Sequence, residues 1–122
     1  MSSILVVEDN PMNRILVRDI LSRRGHEVTE ATNVQEGRER LATAIPDLVL
    51  LDIQIPGGGG EVLLLQIRAE PRLARVPVIA FTAYAMRGDR ERFLATGFDG
   101  YISKPIDTRK FGAEVEAYVR RD

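Results

Sequence analysis

Short apolar runs alternate along this chain with longer stretches whose apolar residues recur at helical spacing. The first run is Ile4-Leu5-Val6-Val7. Asn10-Pro11 then reads as an N-cap and first helical residue, since the Asn side chain can accept from free amides and proline has no amide to leave unpaired. Met12, Ile15, Leu16, Ile20 and Leu21 follow at helical spacing, and Gly25 ends that helix. Glu27–Ala31 is a short second strand centred on Val28, and the helix after it carries Val34, Leu41 and Ile45, with Pro46 beyond its end. Leu48-Val49-Leu50-Leu51 is uninterrupted, as expected of a strand buried on both faces. Pro56 and the glycines at 57–60 form a loop before a third helix over residues 61–69. Residues 76–81 form the fourth strand; Met86, Phe93 and Leu94 mark a helix ended by Gly97; residues 98–102 form the fifth strand. Asp107 caps a last helix with Phe111, Val115, Tyr118 and Val119 on one face, and Lys110 is an ordinary residue of its first turn.

Five strand–helix pairs with no linker or repeat predict an α/β domain spanning residues 1–122, a doubly wound five-stranded parallel sheet. The common order for such a sheet is 2-1-3-4-5, which sets strands 1 and 3 side by side. Right-handed crossovers bring every strand's carboxyl end to one edge, and ligands bind there at the switch in strand order.

Composition narrows the class. The 122 residues carry seventeen Lys or Arg against eighteen Asp or Glu, a net charge of -1, which argues against a dedicated nucleic-acid binder. No apolar stretch approaches a membrane span, and no basic residue precedes the short run at residues 4–7 as it would in a signal peptide. With no cysteine there is no disulfide, thiolate metal site or cysteine nucleophile, and a cytoplasmic setting is the default. The Met1 start and the charged end, Arg120-Arg121-Asp122, favour a whole protein. Only Lys104 and Lys110 are lysines; the other fifteen cations are arginines, so a lysine here is a rare choice.

The chemistry collects at the carboxyl edge. Strand 1 ends in Glu8-Asp9, strand 3 in Asp52, strand 4 in Thr82, and strand 5 is followed by Ser103-Lys104-Pro105. Each residue alone also reads as a cap, a turn or a solvated side chain; their shared edge sets them apart. Three carboxylates converging in a cleft repel unless compensated, and their hard oxygens suit a divalent cation, Mg²⁺ above all. A lysine and a hydroxyl beside them would bind an anion. Together they describe a phosphoryl site with Asp52 as nucleophile and Mg²⁺ and Lys104 neutralising charge. His26, the one histidine, lies away from that edge and reads as a surface residue. The glycine run has no Gly-Lys-Ser/Thr after it and is no phosphate-binding loop; it reads as a flexible connection beside the site.

Four segments carry a family resemblance: Ile4-Leu5-Val6-Val7-Glu8-Asp9-Asn10, Leu51-Asp52-Ile53-Gln54-Ile55-Pro56, Ala80-Phe81-Thr82-Ala83 and Tyr101-Ile102-Ser103-Lys104-Pro105. In order and spacing the chain resembles the receiver domain of two-component response regulators. The run from Phe81 to Asp89 is similar to DivK-type single-domain regulators, and receivers of hybrid histidine kinases look alike. The resemblance implies a flavodoxin-like, CheY-like three-layer sandwich. It implies that Asp52 accepts a phosphoryl group from a partner's phosphohistidine, and that Asp9, Asp52 and the backbone carbonyl of Gln54 ligate Mg²⁺, with Glu8 acting through a bound water. Lys104 would pair with the phosphoryl oxygens and be joined to Pro105 by a cis bond. Thr82 would swing to the phosphoryl group and Tyr101 turn inward, remodelling helix 4, strand 5 and helix 5. Partners would be a sensor histidine kinase or histidine phosphotransferase and a downstream target protein, with no nucleic acid or membrane and a monomer or weak dimer. The chain would be a signalling switch without a DNA-binding output, catalysing only its own phosphotransfer and autodephosphorylation.

One departure is Gly58, where the family usually carries a bulky apolar residue; only Gly60 matches an expected glycine. Val62, Leu63, Leu64, Leu65 and Ile67 also make helix 3 apolar on more than one face, as a docking patch or a deeply packed helix would be. Two other readings stand beside the switch. One is a phosphatase with an aspartyl-phosphate intermediate, against which Gln54 stands where a second acid is needed and no cap fits. The other is a binding module indifferent to phosphate.

Overall fold

Five strands, β1 (Ser3–Val7), β2 (Glu27–Ala31), β3 (Leu48–Asp52), β4 (Val78–Thr82) and β5 (Gly100–Ser103), form one parallel sheet in the order β2-β1-β3-β4-β5. The computed structural model describes residues 2–83 and 88–119; Met1, Met86 and the charged residues 120–122, used above, lie outside them. β3 and β4 are buried at every position, which is why their sequences are apolar without alternation.

Successive side chains point to opposite faces and feed two cores. Leu5, Val7, Val49, Leu51, Val78 and Ala80 pack under α2 (Val34–Thr43), α3 (Gly60–Ala69) and α4 (Asp89–Thr96). Ile4, Val6, Leu48, Leu50, Ile79 and Phe81 pack under α1 (Pro11–Arg23) and α5 (Phe111–Tyr118). The sandwich therefore has helices on both faces, as the alternation predicts. No helix among the described residues is long and apolar enough to cross a membrane.

Several local readings change. Asn10 does cap α1, accepting from the amides of Met12 and Asn13. The buried stripe of that helix, however, is Val17 and Leu21, while Met12, Ile15 and Leu16 are 76%, 44% and 36% exposed. One turn earlier the same stripe passes through Asn13 and Arg14, both partly buried, so the inner face of the first turn is polar. Ile45 lies past the end of α2 and is half exposed, because the chain is already extended at Ala44. β4 and β5 begin two residues later than expected, at Val78 and Gly100. The regular part of α5 starts at Phe111; Asp107 caps the turn before it, its carboxylate accepting from the Arg109 amide and its carbonyl from Lys110 and Phe111.

The glycine run takes a backbone path that calls for glycine. φ is +103°, +114° and +91° at Gly57, Gly58 and Gly59, a region L side chains avoid. Gly60, the first residue of α3, abuts the strand: a Cβ there would lie 2.5 Å from the carbonyl oxygen of Asp52. In α3, Leu63, Leu64 and Ile67 are buried, while Val62 and Leu65 remain exposed.

His26 is not a surface residue. Its side chain is 9% exposed, and Nε2 lies 2.7 Å from Glu116 of α5, whose other oxygen takes the Arg24 guanidinium at 2.6 Å.

Candidate functional site

Strand register decides what meets at the carboxyl edge. β1 and β3 are neighbours, with Val7 opposite Leu51, so the residues that follow each of these emerge together. The Glu8 amide still donates to Ala31 across the β1–β2 ladder at 2.9 Å, which keeps Glu8 pointing into the molecule; it is fully buried, and Asp9 beyond it is exposed. Asp52 is the last residue of β3 and 5% exposed. Carboxylate oxygens of Glu8, Asp9 and Asp52 lie within 4.8 Å of one another. At an effective dielectric near 20, two full negative charges 4.8 Å apart repel by about 3 kcal/mol, so ionising all three acids together is costly.

Lys104 meets that repulsion. Its backbone amide donates to the Thr82 carbonyl at 2.8 Å, tying the end of β5 to the end of β4, and its peptide bond to Pro105 is cis. The ammonium reaches across to Glu8 Oε1 at 2.6 Å and Asp52 Oδ2 at 3.1 Å. It also stands 4.8 Å from the ring centre of Phe81, the register partner of Asp52. Burial pulls the ammonium down, but the two carboxylates outweigh it and hold Lys104 above the ordinary lysine value. Glu8 is pushed up to about 7, by burial first and the facing Asp52 carboxyl second, against the pull of Lys104.

The remaining atoms of the pocket orient these groups. The Gln54 amide donates to Asp52 Oδ1 at 3.0 Å, fixing one oxygen while the other faces Lys104. The Asn10 amide and the Asn13 side chain donate to the two oxygens of Glu8 at 3.1 and 3.3 Å. Thr82 closes β4 with only 2% exposure, opposite Ser103. Tyr101, on β5, is partly buried with its ring 5.9 Å from that of Phe93 in α4.

The expected residues Glu8, Asp9, Asp52, Gln54, Thr82 and Lys104 thus share one edge, with Tyr101 three residues before Lys104 on the outer strand. Three carboxylates from two adjacent strands form a hard-oxygen donor set, the kind that fits Mg²⁺. Two contributors escaped the sequence reading: Asn13 on Glu8, and Arg14, whose Nη1 donates to the carbonyls of both Glu8 and Asp9 at 3.1 Å. The available signal was polar residues on the stripe that Val17 and Leu21 define.

Comparison with known proteins shows the family and the fold. The family model of the response regulator receiver domain matches residues 4–116. The polar-differentiation response regulator DivK of Brucella anthropi is 38% identical over 117 residues, covering 96% of this chain and 95% of that protein. The receiver domain of sensor histidine kinase PA1611 from Pseudomonas aeruginosa, solved with a magnesium ion coordinated in its active site cleft, matches with a TM-score of 0.85 at 32% identity over 96% of both chains. Chemotaxis response regulator CheY4 of Vibrio cholerae matches with a TM-score of 0.91, covering 98% of this chain and 99% of that one; at 21% identity this is a likeness of fold alone.

Proposed function

Because the chain belongs to the response regulator receiver domain family, whose members act as signalling switches, we propose that it accepts a phosphoryl group on Asp52. The observation that carries this reading is the placement of Asp52: a buried carboxylate with one oxygen held by the Gln54 amide and the other 3.1 Å from the Lys104 ammonium.

In the proposed reaction a carboxylate oxygen of Asp52 attacks the phosphorus of a phosphohistidine. The N–P bond breaks, its electron pair stays on the imidazole, and that ring takes a proton from solvent. Asp9, Asp52 and the Gln54 carbonyl would hold Mg²⁺, with Glu8 acting through a bound water; the ion supplies neutralisation of phosphoryl charge. Lys104, already at Asp52 Oδ2, moves its compact charge to the new phosphoryl oxygens, and the Thr82 hydroxyl donates to another. Thr82 and Tyr101 lie on adjacent strands, so a shift of the first opens space into which the second turns. That change alters the surface of α4, β5 and α5, the output of a two-state element biased by a new anion.

The phosphodonor is a sensor histidine kinase or histidine phosphotransferase, the reader is a target protein, and the setting is cytoplasmic. Exposed Met12, Ile15 and Leu16 on α1, which starts beside the acidic edge, offer apolar surface for the donor. Incubation with Mg²⁺ and acetyl phosphate, read by intact mass, tests the reading. Wild type gains one phosphoryl group and Asp52→Asn none; equal gain by both overturns it.

A further inference from the structure

The first turn of α1 breaks the rule that a helix buries its apolar side. Val17 and Leu21 set the inward stripe, yet one turn earlier Asn13 and Arg14 occupy it while Met12, Ile15 and Leu16 face solvent. A partly buried arginine in place of a core residue needs partners, and the partners of Arg14 are specific. Nη1 donates to the carbonyl oxygens of Glu8 and Asp9, both at 3.1 Å. Nε lies 3.4 Å from the Glu30 carboxylate on β2. Glu30 is itself held, its other oxygen by Arg18 at 3.3 Å and its backbone carbonyl by Arg40 at 3.1 Å.

From this we infer that Arg14 is a positioning residue for the acidic pair. It clamps the two peptide units at the end of β1, so that Glu8 and Asp9 face Asp52 already arranged for a divalent cation. The inference rests on the acidic edge being the metal site proposed above. Glu8 and Asp9 follow the last residue of β1, and their carbonyls carry the chain out of the sheet. One planar guanidinium can bond two successive carbonyls and a carboxylate on another strand at once; an ammonium concentrates its donors at a point. Asn13, on Glu8 Oε1, adds a contact from the same turn of helix.

The sign of the effect separates positioning from simple charge. A cation near an acidic cluster weakens the binding of another cation, so its removal should tighten metal binding if charge alone mattered. Loss of an orienting partner behind a ligand instead weakens binding, by about ten-fold or more. The test is titration of metal-free protein with Mn²⁺, read by the free-ion electron paramagnetic resonance signal, and with Mg²⁺ by calorimetry. Circular dichroism and urea unfolding establish that each variant is folded. Arg14→Met should weaken binding about ten-fold. Arg14→Lys and Glu30→Gln should weaken it less, in the same direction, and keep the test available if the first variant does not fold. Unchanged or tighter binding in folded variants, even with lowered stability, overturns the inference while leaving the metal site standing. Absence of binding by wild type removes the metal reading and this inference with it.

Discussion

The ammonium of Lys104 lies 2.6 Å from Glu8 Oε1, closer than its 3.1 Å to Asp52 Oδ2. The rare lysine of this chain is thus shared between two carboxylates of adjacent strands, over the face of Phe81. A point charge at that position can hold two acids together and later follow a phosphoryl group. Arginine keeps the charge but spreads it over a rigid planar fork, which does not reproduce a point charge shared between Glu8 and Asp52. In Lys104→Arg, phosphorylation of Asp52 should still occur, but the nuclear magnetic resonance shifts of Thr82 and Tyr101 on adding Mg²⁺ and acetyl phosphate should be largely lost. Shifts like those of wild type would show that any cation serves.

Gly60 makes an opposite-sign test of the packing around Asp52. Glycine to alanine in a helix ordinarily stabilises, by up to about 1 kcal/mol in the interior and less at a first position such as Gly60. Here the new Cβ would sit 2.5 Å from the Asp52 carbonyl oxygen and 3.0 Å from Ile53 Cα, both backbone atoms that cannot swing away. Gly60→Ala should therefore destabilise, by about 1–3 kcal/mol in urea unfolding. A gain in stability would mean that α3 does not abut the strand end as described.

The clasp between α1 and α5 sets an acid limit on stability. Arg24 bonds Glu116 through Nε at 2.8 Å and Nη2 at 2.6 Å, and His26 adds Nε2 at 2.7 Å. These donors hold the Glu116 carboxyl down to about 2, from an ordinary 4.5. A group whose folded value is depressed contributes stability above its unfolded value and loses it as pH falls through the folded one. The loss should fall between pH 4.5 and about 2, and amount to on the order of 1 kcal/mol once solvent screening is allowed for. Glu116→Gln should flatten that part of a stability–pH curve measured by urea unfolding. An unchanged slope would remove Glu116 from the account.

Much of the fold and the candidate site was legible because both follow from local pattern plus one topological rule. Leu48-Val49-Leu50-Leu51 declares a doubly buried strand, and a parallel sheet then sends Glu8, Asp52, Thr82 and Lys104 to the same edge. What stayed hidden depends on contacts made at a distance. The apolar count on α1 favoured Met12, Ile15 and Leu16, but which stripe faces inward was decided by the acids that Asn13 and Arg14 meet. His26 looked isolated because its partner, Glu116, is 90 residues away. The left-handed backbone at glycines 57–59 stayed hidden because dihedral angles leave no mark on hydrophobic pattern.

The central claim is that Asp52 carries the phosphoryl group, and locating the modification tests it most directly. Protein treated with Mg²⁺ and acetyl phosphate is reduced with borohydride, which converts an acyl phosphate on aspartate to homoserine, then digested and mapped by mass spectrometry. The account predicts homoserine at position 52 and nowhere else, dependent on Mg²⁺. Homoserine at Asp9 or another aspartate, hydroxynorvaline at a glutamate such as Glu8, or neither product under conditions where the protein gains a phosphoryl group, would contradict it.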